Sequence, residues 1–324
     1  MFMMRFGMRS ASANASDRAD LYGATLDMCA WAEQRGCTAA VLSQHHGVSD
    51  GYLPSPLPLA AAIAARTDTL RISVAALLLA LYEPVKLAED MAVIDLISRG
   101  RVSYVIGIGY RGEEFAQFGI DRSRRGETVE NRIQVLRHLW TGEPVDVDGR
   151  LATVTPIPFT PGGPMLAYGG GSDAAARRAG RLGMFFLAET TDRRLEDAYT
   201  EAAAQAGVSP VGCAFPGPDI PLTVFVADDP ERAWSEIGDY LLRDARSYAE
   251  WNAHRTGTSS VSFAATVSEL KEERGSYQII TADEASAYVR AGTALALQPL
   301  VGGLPPDIGW RYLEAAAAVV EDTR

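Results

Sequence analysis

The sequence has no apolar run long enough to cross a bilayer. Its longest, around Val74 to Tyr82, falls far short of the roughly 20 residues that a membrane helix needs. It has no basic block either. Thirty Lys and Arg stand against 41 Asp and Glu, a net charge of −11, which argues against nucleic acid and anionic membrane surfaces as partners. Cysteine is scarce. Cys29, Cys37 and Cys213 are odd in number and lack metal-ligand spacing, so buried free thiols and a reducing compartment are expected. The opening MFMMRFGM is short and lacks a signal-peptide processing site, so a soluble cytoplasmic protein is expected. H-x-x-x-H, H-E-x-x-H, C-x-x-C and the P-loop lysine are all missing, and neither Ser43 nor Ser172, nucleophiles on paper, sits in G-x-S-x-G. No metal site is expected.

What is present suits a globular chain: 324 residues, 47% hydrophobic and 22% charged. Strand-like apolar runs alternate with helix-period stretches. The strand runs are Phe2 to Met8, Thr38 to Leu42, Leu70 to Leu79, Val102 to Ile108, Met165 to Tyr168, Met184 to Ala188, Leu222 to Ala227 and Ala294 to Pro299. From Leu21 the apolar positions Leu21, Ala24, Met28 and Trp31 repeat at spacings of three and four, a helix face ended by Gly36; Gly100 and Gly142 end later helices, and Pro84 suits a first helical position. Eight strands alternating with helices predict an α/β fold, a (β/α)8 TIM barrel with insertions, filling residues 1–324 as one domain. Residues 240–276 are polar with scattered aromatics and read as an insertion near the site.

The stretch RVSYVIGIGYRGEEFAQFG at 101–119 poses the central choice. Gly107 to Gly112 spell G-x-G-x-x-G, the dinucleotide fingerprint. That fingerprint belongs after the first strand of a βαβ unit and opens directly into a helix. Here it follows the fourth strand, and the next long helix is expected only near Gly126. A rim loop at the mouth of a barrel, where function gathers, is the better reading.

Two of the four histidines are adjacent, His45 and His46, at the end of the second strand. Neighbouring side chains on extended backbone diverge, so one of them should reach the mouth and move a proton or bond a cofactor there. Gly169-Gly170-Gly171-Ser172-Asp173 follows the fifth strand and precedes a helix, so it is either a phosphate cradle or an ordinary cap. Glu113 and Glu114 suit acid–base work or, more simply, a salt bridge to Arg111, Arg122, Arg124 or Arg125.

Several strings taken together resemble the bacterial luciferase-like flavin oxidoreductase family. They are SQHHG at 43–47, PSPLPLAAAIAART at 54–67, the run 70–101, VIGIGYRGEEFAQFG at 105–119, LRHLWTGEPV at 136–145, LAYGGGSDAAARRAGRLG at 166–183 and PLVGGLPPDIGWRYL at 299–313. The resemblance implies a (β/α)8 barrel, a homodimer, and binding of reduced FMN or an 8-hydroxy-5-deazaflavin. His45 and His46 match the family's histidine pair beside the flavin, and Gln44 replaces the family's Glu. Ala75-Ala76 match the place of a cis non-proline peptide. The family's phosphate-binding arginine, after Gly109, is here Tyr110, with Arg111 next to it. Gly169, Gly170, Gly171 and Ser172 match the second phosphate loop. The implied activity is a monooxygenase that uses O2 on a small organic substrate and draws on a separate flavin reductase or other supply of reduced cofactor. A deazaflavin-dependent reductase or dehydrogenase and a non-catalytic flavin-binding homologue are the alternatives.

Overall fold

A computed structural model of the chain describes residues 1–10, 12–217, 220–253 and 261–323. Strand and helix alternate along it. β1 (Phe2–Phe6) leads to α1 (Ala15–Glu33), β2 (Cys37–Leu42) to α2 (Pro56–Arg66), and β3 (Arg71–Leu78) to α3 (Pro84–Ser98). β4 (Val102–Gly107) is followed by a short α4 (Gly112–Phe118) and by α5 (Arg125–Leu139). A hairpin of β5 (Val145–Val147) and β6 (Arg150–Ala152) precedes β7 (Leu166–Gly170), α6 (Asp173–Arg181), β8 (Phe185–Ala188) and α7 (Arg194–Gln205). Then come β9 (Cys213–Ala214), β10 (Thr223–Val226), α8 (Pro230–Trp251), α9 (Val267–Glu272), β11 (Tyr277–Ile280), α10 (Ala282–Arg290), β12 (Leu295–Leu297) and α11 (Pro306–Asp322).

Two compact units are present. The first comprises Met1–Ser43, Val48–Pro54 and Gly217–Arg324; its strands run parallel in the order β11-β10-β12-β1-β2. The second comprises Gln44–Gly47 and Ser55–Pro216, with parallel strands in the order β3-β4-β7-β8-β9. Parallel strands need crossovers, and the intervening helices supply them. They also bury both faces. β10 and β11 are buried at every position, which is why the brief run Tyr277–Ile280 shows no alternation in sequence.

Each of the eight runs read as strands forms one. Three readings change. α1 begins at Ala15, earlier than its apolar stripe from Leu21, because Asn14 caps it by accepting from the Ser16 N–H. The G-x-G-x-x-G loop does open directly into a helix, α4, but a short one that ends with Gly119 in a left-handed conformation. Within 240–276, residues 240–251 are the second half of α8 and 267–272 are α9; residues 254–260 lie outside the described residues. Ile237 and Leu241 on α8 pack with Phe225, Leu270, Tyr277 and Ile279, and Tyr240 flanks that core.

Candidate functional site

β2 ends at Leu42, and Gln44–Gly47 belong with the second unit. The two histidines part as extended backbone requires. His45 is 6% exposed, and its Nδ1 lies 2.9 Å from Oε1 of Glu114. Glu114 projects from the first turn of α4 and is fully buried. Its Oε1 also accepts from the backbone N–H of His46 at 2.9 Å. Burial alone would raise this carboxyl. The hydrogen bonds from His45 and the His46 N–H, with the Arg111 guanidinium, outweigh burial and hold it below the usual carboxylate range. Among the described residues its other oxygen, Oε2, is buried without a hydrogen-bond partner.

His46 takes the other direction. Its Nε2 lies 2.7 Å from Nε2 of Gln44, and its ring meets the Phe118 ring edge-on at 4.7 Å. The Gln44 amide is oriented by its surroundings. Its Oε1 accepts from the Leu78 N–H at 3.0 Å, and its Nε2 donates to the Tyr82 hydroxyl at 2.8 Å. A donor therefore faces His46 Nε2, which must accept, and the ring is a neutral imidazole protonated at Nδ1. Burial, together with the nearby His45 and Arg111, holds the His46 pKa below its ordinary value despite Glu114.

The loop after β4 supplies the next shell. The Ala75–Ala76 peptide bond in β3 is cis, and a Cβ built on Gly107 would come 2.8 Å from the Ala76 methyl. Gly109 has φ +74° and lies against the Phe115 ring, so a side chain is excluded there on both counts. Tyr110 points its hydroxyl to Nε2 of His45, 3.2 Å away. Arg111, the residue that the resemblance offered as a phosphate anchor, turns elsewhere. Its guanidinium donates to the His46 carbonyl at 2.9 Å and lies 3.4 Å from Glu114. The expected salt bridge to Arg111 therefore comes from Glu114; Glu113 is exposed.

Other arginines stand over the same loop. Arg122 donates to the Tyr110 carbonyl at 2.9 Å, and Arg125 to the Gly109 carbonyl at 3.1 Å. Neither has a carboxylate within ion-pair distance among the described residues. Arg178, from α6, lies over Gly126 at the start of α5, 3.8 Å from Glu130. Burial first, then repulsion from Arg122 and Arg178, holds the Arg125 pKa below its ordinary value. Three like charges are thus gathered without full neutralisation. Arg124 is not part of it, being paired with Glu127 on the surface.

In the Gly169 to Asp173 loop, Gly169 and Gly170 pack closely against Val105 and Ala175. Gly171 and Ser172 are exposed, and the Ser172 hydroxyl caps α6 by accepting from the Ala175 N–H. Asp173 pairs with Arg177 at 2.9 Å. Of the two readings of this loop the cap is observed: Ser172 caps a helix whose start is open to solvent and whose next turn carries Arg178.

One cluster in the first unit was not legible in sequence. Arg9, just beyond β1 and 2% exposed, bonds Asp50 and, at 2.9 Å, Asp244 of α8. Its guanidinium lies over Tyr52 at 4.6 Å and Trp251 at 4.9 Å, and the Tyr52 and Tyr248 hydroxyls bond at 2.6 Å. Tyr248 and Trp251, among the aromatics of the expected insertion, are partners of this buried arginine.

Three comparisons bear on what this arrangement serves. An F420-dependent glucose-6-phosphate dehydrogenase of Nocardia farcinica is 30% identical over 208 residues, 57% of this chain and 60% of the relative. The oxygenase component of a flavin-dependent trigonelline monooxygenase of Acinetobacter baylyi is 27% identical over 145 residues, 43% of this chain and 40% of the relative. The chain thus aligns with less than two thirds of either relative's length. The oxygenating constituent of 3,6-diketocamphane monooxygenase of Pseudomonas putida, solved with FMN, superposes with a TM-score of 0.73 at 19% identity, covering 98% of this chain and 97% of that one. That likeness shows the fold, the (β/α)8 barrel expected from the strand–helix alternation. The sequence pattern of the luciferase-like monooxygenases matches residues 4–298, and the chain belongs to that family.

Proposed function

We propose that this luciferase-like oxidoreductase uses reduced FMN and O2 to oxygenate a small organic substrate, with His45 moving the proton. The observation that carries the reading is a buried, carboxylate-backed imidazole together with an incompletely neutralised arginine cluster over the loop after β4. The cluster suits a flavin's phosphate: Arg122, Arg125 and Arg178 offer charge-assisted donors, and the Ser172 end of α6 offers a helix N-terminus. Gly109 and Gly107 keep the backbone beside this rim free of side chains. When bound, reduced flavin would supply the two electrons of O2 activation. His45 would hydrogen-bond cofactor or substrate and exchange a proton with it, its Nδ1 held by Glu114. His46, kept neutral by Gln44, would add no charge next to the ring system.

A second reading is favoured by the size of the cluster. Three arginines exceed what one phosphate requires, and a longer anionic tail, as on an 8-hydroxy-5-deazaflavin, would engage them all. The relative from Nocardia farcinica points the same way. In that case the cofactor would carry hydride, and His45 would take or give the accompanying proton.

The reading further includes a homodimer, for which α3 offers the exposed Val93, Leu96 and Ile97, and an external supply of reduced cofactor.

The test is a titration of the wild-type protein with FMN, riboflavin, FAD and deazaflavin, oxidised and reduced. Reduced FMN is expected to bind more tightly than riboflavin. Arg125→Ala is expected to weaken FMN by about tenfold, a charged hydrogen bond's worth, without affecting riboflavin. Deazaflavin binding with no FMN affinity would select the second reading. Tight flavin binding with no oxidation of aldehydes, alkanes, sulfonates or alcohols would mark a non-catalytic flavin binder.

A further inference from the structure

We propose that Tyr110, His45 and Glu114 form a proton relay in which the Tyr110 hydroxyl exchanges protons with a substrate oxygen and Glu114 positions the imidazole. The inference rests on the oxidoreductase reading above and extends it to Tyr110, which that reading does not use.

Two hydrogen bonds set the order of the relay. Glu114 Oε1 is an acceptor for the His46 N–H, so the carboxylate faces His45 Nδ1 as an acceptor too, and Nδ1 carries the hydrogen. Neutral His45 then has its lone pair on Nε2, and the Tyr110 O–H, 3.2 Å away, is the donor to it. The two rings meet edge-on, with centroids 5.6 Å apart and planes at 72°, so the contact runs through the hydroxyl rather than through stacked faces. Tyr110 is half-buried whereas His45 and Glu114 are buried, which makes the tyrosine the outermost member. A phenol oxygen that donates one hydrogen bond still accepts others.

Deprotonation of a substrate hydroxyl would proceed by two coupled transfers. The substrate O–H bond breaks as a new O–H bond forms on Tyr110; the original Tyr110 O–H bond breaks as N–H forms at His45 Nε2. Tyr110 ends neutral, His45 ends as imidazolium beside the Glu114 carboxylate, and the substrate oxygen keeps the electron pair. The reverse sequence protonates a substrate oxygen. Glu114 and Tyr110 bond the two nitrogens of the His45 ring, and Arg111 lies 3.4 Å from Glu114.

Two measurements test this. In the cofactor-free protein, ¹⁵N-labelled histidine gives only four imidazoles to resolve, and His45→Gln identifies the relevant pair. His45 should show the Nδ1–H tautomer, and Tyr110→Phe should shift its Nε2 resonance and leave the tautomer unchanged. An Nε2–H tautomer, or an Nε2 resonance indifferent to Tyr110→Phe, overturns the relay. In stopped flow, protein loaded with reduced FMN is mixed with dissolved O2 and a medium-chain alcohol as the oxygen-bearing substrate, in H2O and in D2O. Tyr110→Phe and the isosteric Glu114→Gln should each slow reoxidation by on the order of 10²-fold, the usual range for acid–base groups. Tyr110→Phe should also abolish the solvent isotope effect, and Glu114→Gln should displace the pH–rate profile, while FMN affinity stays within about twofold. If Tyr110→Phe weakens FMN binding and leaves the saturated rate intact, Tyr110 is a cofactor contact and the relay falls. If the wild-type protein binds no reduced FMN, the oxygenase reading fails, and the nitrogen resonances alone decide the relay.

Discussion

At the scale of single residues, Gln44 decides the charge of its neighbour. Its amide is pinned by the Leu78 N–H, so it can present only a donor to His46. Gln44→Glu would present an acceptor and a negative charge instead, and His46 would become easier to protonate. NMR titration should show its pKa moving up by on the order of one unit or more, the scale of a nearby opposite charge. His46 also gives the folded protein a pH dependence. Its pKa is depressed by burial relative to an unfolded chain, so the unfolded state takes up the proton first as pH falls. Glu114, also depressed, acts in the same direction at lower pH, where its carboxylate is protonated. Stability should therefore be lost from about pH 6.5 downward. Urea midpoints should fall between pH 7 and 5, with a shallower slope in His46→Gln. A slope unchanged by that substitution would refute the assignment. The histidine pair was legible in sequence because adjacency on a strand end forces divergence. Its partners were not: Glu114 lies 69 positions from His45, and no local spacing announces that contact. Cysteine followed the plain expectation for two of three positions. Cys29 and Cys37 are buried, and burial pushes the Cys37 thiol up to about 12.

At the scale of elements, helix starts were read late and short elements were missed. Apolar periodicity marks where a helix packs, whereas a cap such as Asn14 marks where it begins, six residues before the first buried residue the stripe reveals, Leu21. α8 shows the larger consequence. Its second half looks too polar for a buried helix because Asp244, Tyr248 and Trp251 face a charged partner, Arg9. Arg9 ties α8 to the stretch after β1 and to Asp50 beyond β2, all within the first unit. Arg9→Met would leave the buried Asp244 without its counter-charge, and Tyr277, which donates to Asp244 at 2.8 Å, cannot replace it. The expected cost is about 3–5 kcal/mol, the range for breaking a buried pair by removing one partner. Urea unfolding measures it. Arg9→Met paired with Asp244→Leu should recover part of the loss; no recovery would mean that the aromatic contacts, not the charge pair, carry the effect.

At the scale of the whole molecule, the α/β class and the barrel family were legible because eight apolar runs, separated by glycines and prolines, outlast errors at any one boundary. The exposed face of α3 carries the assembly prediction. Val93, Leu96 and Ile97 are each 40–45% exposed on one helix of the second unit. If this face joins two copies, Ile97→Glu should reduce the mass measured by light scattering from dimer to monomer and leave the fold, followed by circular dichroism, intact. A wild-type monomer would remove the homodimer from the proposed function.

The single carboxylate oxygen of Glu114 holds the ring of one residue and the backbone of the next. This sets a rule for how the chain can vary in length. Adding or deleting a residue between Gly107 and Glu114 would rotate the carboxylate by about 100° around α4 and release both histidines at once. Beyond Gly119, where α4 ends in a left-handed turn, the same change would be absorbed before α5 begins. Length variation in this loop region should therefore be tolerated on one side of α4 and not on the other. A pair of one-residue insertions, before Gly112 and after Gly119, makes the asymmetry visible.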